Sequence, residues 1–213
     1  MSVLLAGATG LVGSRVLDLL CAAGTPVVAV ARRATGKTAP ALTEVIADFA
    51  ALPPLPKADV AICALGTTIR IAGSQPAFRA VDYDAVLAFA RAAQAAGVTH
   101  FVLISSVGAS AASPVFYSRV KGEVERDIGV MNFARFDVIQ PGLILGPRPD
   151  RRPAEAMFQA AAPWLNPLLF GPAERYGGIA ADVIAAAIVK LAKLQTPGRF
   201  VHQNGELRKL AKA

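Results

Sequence analysis

Apolar residues in this chain come in short blocks separated by longer amphipathic stretches. Blocks over 2–6, 27–31, 44–47, 59–64, 99–104 and 134–139 are short and bounded by turn residues, the form taken by strands that are covered on both faces. Between and after them, apolar positions recur at helical spacing over 11–23, 76–96, 115–128, 154–161 and 180–194, each pattern predicting a helix with one buried stripe. Gly97 follows the stretch 76–96 and is placed to end it. Strands alternating with helices predict an α/β fold, a Rossmann-like, doubly wound, mostly parallel sheet with helices on both faces and a small C-terminal cap. One domain over 1–213 is expected. Residues 147–172 break the pattern, with six prolines and Arg148, Arg151 and Arg152. Such a stretch cannot be one long helix or a central strand. It is expected to form an irregular cap within the domain, over a site at the carboxyl edge of the sheet.

The turn after the first apolar block reads Gly7-Ala8-Thr9-Gly10-Leu11-Val12-Gly13. A strand that runs through a glycine-rich turn into a helix is the phosphate-binding start of a dinucleotide-binding fold. Gly7 can adopt backbone angles closed to other residues. Gly10 lets a pyrophosphate approach the helix N-terminus, where free N–H groups and the helix dipole hold anions. Gly13 lets that helix pack closely on the strand.

Composition narrows the reading. With 54% hydrophobic and 17% charged residues, the chain can bury a large core and is not a disordered segment. Cys21 and Cys63 lie far apart in apolar segments and read as reduced thiols rather than a disulfide. Two histidines without a Cys/His cluster argue against a metal site. No apolar run reaches the ~18 residues that cross a bilayer, so no membrane partner is expected. The first charged side chain is Arg15, so the start lacks the basic end of a signal peptide. These features suggest a cytoplasmic protein of a bacterium-like cell. The net charge of +7 comes from basic residues scattered along the chain. Without a Lys/Arg run interleaved with aromatics, nucleic acid is not the expected partner. A small-molecule substrate is, and a homodimer is compatible with the sequence.

Dinucleotide folds that take NAD place an acid at the end of the second strand, on the ribose 2′-hydroxyl. Here that position reads Val30-Ala31-Arg32-Arg33, and no acid occurs between Asp18 and Glu44. A guanidinium there pairs with a 2′-phosphate, so NADP(H) is expected over NAD(H). The other reading of Arg32 and Arg33 is two solvated side chains at a strand end. Asp48 stands where it can accept from the adenine amino group, or cap a helix.

The candidate chemistry lies further along. Tyr117-Ser118-Arg119-Val120-Lys121 is a Y-x-x-x-K on a predicted helix, with tyrosine and lysine on one face. An ammonium beside a phenol favours the phenolate, which suits the tyrosine to acid–base work near neutral pH. The block at 99–104 delivers Ser105 and Ser106 to the sheet's carboxyl edge. One of these hydroxyls can stabilise an oxyanion on a substrate. Ser106 is favoured, Ser105 is the alternative, and the other hydroxyl is left for local backbone.

Together GATGLVG at 7–13, ALGTT at 64–68, ISS at 104–106, YSRVK at 117–121 and QPGLILGPR at 140–148 resemble a short-chain dehydrogenase/reductase. They are most similar to its atypical NAD(P)-binding branch, the Tat-interacting-protein-like oxidoreductases and their relatives. The resemblance implies that Gly7, Thr9, Gly10, Leu11 and Val12 line the pyrophosphate and that Arg32 and Arg33 face the adenosine phosphate. It further places Leu65, Gly66 and Thr67 along the nicotinamide-side ribose, and has Pro141, Gly142 and Leu143 brace the nicotinamide. Tyr117 would be the catalytic acid/base, and Lys121 would bind the ribose hydroxyls. Many relatives carry an asparagine near the middle of the long helix that completes a proton relay. The comparable stretch here is Val81-Asp82-Tyr83-Asp84, which departs from that pattern.

Three functions follow from this reading. The first is NADPH-dependent reduction of a small carbonyl or quinone compound. The second is an NADP(H)-binding sensor without turnover, as in members resembling the NmrA-like regulators. The third is a nucleotide-sugar epimerase or dehydratase, disfavoured because only about 70 residues follow Pro141, whereas the extended branch carries a large C-terminal substrate domain.

Overall fold

The computed structural model describes residues 1–147 and 171–212. Seven strands form one sheet: β1 (Val3–Ala6), β2 (Val27–Ala31), β3 (Leu42–Ile46), β4 (Val60–Cys63), β5 (His100–Ile104), β6 (Arg135–Ile139) and β9 (Gly198–His202). Their order is β3-β2-β1-β4-β5-β6-β9, and every neighbouring pair is parallel. The chain leaves β1 toward β2 and returns on its other side as β4. The order therefore reverses between β1 and β4, where a doubly wound sheet opens a crevice at its carboxyl edge.

Strand residues alternate between two cores. Val3, Leu5, Val60, Ile62, Val102 and Ile104 face α1 (Leu11–Ala22) and α6 (Ala181–Leu191). Leu4, Ala6, Ala61, Cys63, Phe101 and Leu103 face α4 (Ala85–Ala95) and α5 (Phe116–Gly129). Every residue of β1, β4 and β5 is buried, which is why these strands read as unbroken apolar runs rather than as alternation.

Departures from the expected elements have identifiable causes. The stretch 76–96 is not one helix. It begins as α3 (Gln75–Arg79), capped by Ser74, passes through one turn of π-helix over Ala80–Asp84 and continues as α4. Such single π-turns insert an extra residue and gather at functional sites; this one carries the fully buried Asp82. Gly97 follows α4 with a φ of 83°, as the stop signal implied. A short α2 (Ile69–Ala72) is capped by Thr68. Two short strands, β7 (Leu143–Leu145) and β8 (Gly178–Ala180), pair in parallel beside the main sheet. Strand β9 escaped the sequence reading because Gly198 and Arg199 dilute its pattern. The chain ends in α7 (Asn204–Lys212), docked through fully buried Leu207. Cys63 is buried and Cys21 half-buried, both as free thiols. The expected helix 154–161 and nearly all of the expected cap lie outside the described residues. Among the described residues, no helix is long and apolar enough to cross a membrane.

Strand β6 is not simply apolar. Asp137, fully buried, accepts from Arg135 through two bonds of 2.6 and 2.8 Å, from His100 at 2.6 Å and from His202 at 2.7 Å. Burial alone would raise the Asp137 carboxyl. The bonds from His100, His202 and Arg135 outweigh it and hold the group well below the usual carboxylate range. The cluster knits β5, β6 and β9 together. Burial likewise pulls the His202 imidazole down, but Asp137 and Glu206 (2.9 Å from Nδ1) prevail and raise it. A pKa raised on folding stabilises below the unfolded value near 6.5 and loses that contribution as pH rises through the folded value. Urea unfolding is therefore expected to show stability falling from pH 6 toward pH 8.5. In His202→Gln that part of the slope disappears; an unchanged slope would refute the assignment.

Candidate functional site

The crevice at the switch point starts from the backbone of the first loop. Gly7 has a φ of 82°, and a Cβ there would lie 2.4 Å from the Ala64 carbonyl at the end of β4. A Cβ on Gly13 would lie 2.1 Å from the Gly7 oxygen. Both positions exclude any side chain, and together they press α1 against the ends of β1 and β4. No side chain caps α1 and no acid stands in its first turn. Its first N–H groups, which have no partner within the helix, are thus left for an anion.

Two cavities meet along this loop. One, of about 630 Å³, is lined by Gly7, Thr9 and Gly10 and by Arg32 and Arg33 at the end of β2. The other, of about 420 Å³, is lined by Gly10, Leu11 and Val12, by Ser105, Ser106, Tyr117 and Lys121, and by Pro141, Gly142 and Leu143. Leu65, Gly66 and Thr67 border both, so the two form one elongated cleft. Asp48 lines neither cavity. Its carboxylate accepts from the Ala50 N–H at 3.0 Å and caps a 3₁₀ turn at Phe49–Ala51, the second of its two sequence readings.

Within the second cavity the side chains differ in their commitments. Tyr117 is half-buried, its ring 5.5 Å from that of Phe78. Lys121, one turn on, is 6% exposed and lies 2.7 Å from Asp82 Oδ1. Burial alone would depress the Lys121 ammonium; Asp82 and then Tyr117 outweigh it and hold the group above its ordinary value. Burial pushes the nearby Cys63 thiol up to about 12, keeping it neutral.

The two serines are not equivalent. Ser105 donates its hydroxyl to buried Glu125, which also accepts from Gln140 at 3.0 and 3.1 Å. Ser106 makes only a 3.4 Å contact with the Val107 carbonyl. Its hydroxyl is the one left for a ligand.

Sequence reasoning named Asp82 only within the stretch where relatives carry a relay asparagine, and missed Glu125 and Asn204. Asp82 shares a helical stripe with Phe78, Val86 and Phe89, all buried; an acid at a core position was the available signal. Glu125 continues the spacing of Tyr117 and Lys121 by one more turn. Asn204 had no local signal. It accepts from the Gly142 N–H at 3.0 Å and donates to the Gly177 carbonyl at 2.9 Å, holding the loop after β6 in place. Among the described residues, no three metal-ligating side chains come together.

A family model described as NAD(P)H-binding matches residues 7–128, the segment that supplies most of this cleft's lining. The chain belongs to that NAD(P)H-binding family. Within it the chain resembles the Tat-interacting-protein-like members of the atypical short-chain dehydrogenase/reductases. Its relatives include the mitochondrial protein fmp52 of Aspergillus clavatus, 37% identical over 88% of this chain and 85% of that one. They also include HTATIP2 of Rattus norvegicus, 40% identical over 66% of this chain and 55% of that one. Among solved structures, MoeE5 in complex with UDP-glucuronic acid and NAD superposes with a TM-score of 0.72 at 21% identity, over 94% of this chain and 75% of that one; at that identity the likeness shows the Rossmann-like fold. The relatives correct the expected cytoplasmic setting. Several Fmp52 proteins are named as mitochondrial, which points away from the cytoplasm.

The serine geometry predicts divergent substitutions. Ser105→Ala removes a donor from a buried carboxylate and is expected to cost about 1–3 kcal/mol of stability. Ser106→Ala should change it by less than about 0.5 kcal/mol. Equal effects in urea unfolding would overturn the distinction.

Proposed function

We propose that the protein is an NADPH-dependent oxidoreductase of the short-chain dehydrogenase/reductase type that reduces a small carbonyl or quinone compound. The observation that carries this reading is the single cleft shared by the glycine loop and arginine pair at one end and by Ser106, Tyr117 and Lys121 at the other.

The residues present fit such a coenzyme. The uncapped start of α1 suits a pyrophosphate. Arg32 and Arg33 suit a 2′-phosphate, where an acid would be needed for a bare ribose. Lys121 is held protonated and can donate to ribose hydroxyls. When bound, a reduced nicotinamide supplies the hydride that no side chain of this chain can provide. Ser106 would donate a hydrogen bond to the substrate oxygen and stabilise the charge that develops there. Tyr117 would transfer its phenolic proton to the same oxygen, completing reduction to the alcohol. Pro141 and Gly142, held by Asn204, would keep the far wall of the cleft in register.

Two substitutions test this. Arg32→Asp is expected to weaken NADPH binding, measured by calorimetry, by about tenfold or more, since a charged hydrogen bond contributes about 1.5–3 kcal/mol. Unchanged affinity would return the arginines to a solvated strand end. Tyr117→Phe should lower turnover by roughly a hundredfold or more while NADPH still binds. If wild-type protein binds NADPH tightly yet oxidises it with no carbonyl or quinone in a broad screen, the sensor reading takes its place.

A further inference from the structure

The last strand and helix reach the cleft from outside residues 7–128. Strand β9 pairs with β6 in parallel, Ile139 against His202, so the chain leaves the sheet at its carboxyl edge beside Gln140 and turns at once into α7. The first residue of that helix, Asn204, is fully buried. Its amide oxygen accepts the Gly142 N–H at 3.0 Å, and its amide nitrogen donates to the carbonyls of Gly177 and Glu174 at 2.9 and 3.2 Å. One neutral group thus supplies an acceptor and two donors, which among side chains only a carboxamide can do. The wall it holds has little freedom besides. A Cβ on Gly142 would lie 2.3 Å from the Gly177 oxygen and 2.7 Å from the Arg175 oxygen, and the Leu143 N–H donates to the Gly177 carbonyl at 3.1 Å. One turn further along α7, Arg208 adds a second clasp, donating to Glu174 Oε1 at 2.6 Å and to the Gly178 carbonyl at 2.9 Å. These contacts bear on one chamber of the cleft: Pro141, Gly142 and Leu143 line the cavity of Ser106 and Tyr117, not the one that holds Arg32 and Arg33.

We propose that Asn204 is a positioning residue for the nicotinamide end of the coenzyme alone: from the last helix it fixes the 141–143 wall, while binding of the adenosine end is indifferent to it. This rests on the coenzyme reading above, in which the chamber of Ser106 and Tyr117 takes the nicotinamide. Without the Asn204 amide, the Gly142 N–H loses its acceptor and two carbonyls each lose a donor. Buried backbone groups are rarely left unpaired, so the wall shifts or admits water, and a ring resting on it loses its seat. The glycine loop and the arginine pair follow β1 and β2, which lie four and five strands from β9 in the sheet, and they keep their places.

The test compares two ligands on the full chain by calorimetry. NADPH carries both ends of the coenzyme; adenosine 2′,5′-bisphosphate carries the adenosine and its 2′-phosphate but no nicotinamide. Asn204→Ala is expected to raise the Kd of NADPH by about tenfold or more and to leave that of the bisphosphate within about twofold. General loosening of the fold would weaken both ligands together, and an asparagine that matters to packing alone would weaken neither; either result overturns the proposal. Arg208→Met removes the second clasp at a side chain that is 32% exposed, so it decides the matter if Asn204→Ala does not fold. It is expected to weaken NADPH by about threefold, again with the bisphosphate unchanged; in that case an NADPH affinity equal to wild type overturns the proposal. If the wild-type chain does not bind NADPH, the coenzyme reading falls and this inference with it. If it does bind and the variants fail to separate the two ligands, the inference alone falls.

Discussion

The contact on which the rest depends is backbone against backbone. The loop after β1 meets the end of β4 so closely that neither Gly7 nor Gly13 has room for a single carbon more. That approach sets α1 at the sheet's switch point and leaves its first turn pointing into open space. Everything downstream takes its position from there: the arginines at the end of β2, the 64–68 loop at the end of β4 and the serines at the end of β5. A parallel sheet delivers all these strand ends to one edge, which is why residues more than a hundred positions apart come to line one cleft.

Much of this could be read before any coordinates were known. Unbroken apolar blocks marked the strands because those strands are covered twice, and the glycine spacing marked the first loop because only glycine tolerates that proximity. Tyr117 and Lys121 declared themselves by a local spacing. What stayed hidden depended on tertiary partners. Ser105 and Ser106 are adjacent and chemically identical in sequence, and only Glu125 and Gln140, packed beneath them, separate their roles. Asp48 offered two readings because capping and ligand binding call for the same carboxylate. Asn204 reaches the cleft from the far end of the chain, where no motif could announce it.

The interior is unusually polar for so apolar a chain, and the polarity is concentrated. One cluster gathers on Asp137 between β5, β6 and β9; another runs from Thr67 through Asp82 to Lys121. Buried charges of this kind cost more to leave unpartnered than they contribute when paired. Once buried, these groups must keep their partners for this arrangement of strands and helices to hold. The first cluster locks an edge strand onto the sheet. The second links the 64–68 loop to α5 beneath the cleft.

The side chain of Asn204 grips Gly142 on one side and Gly177 on the other, and β7 and β8, which pair in parallel, each begin just after one of these two points. The polypeptide that departs after Gly142 and comes back before Gly177 is thereby cinched at its base like the neck of a pouch. Gly142 in the cleft wall and Gly177 are thus held together by a side chain from the last helix rather than by the polypeptide that runs between them.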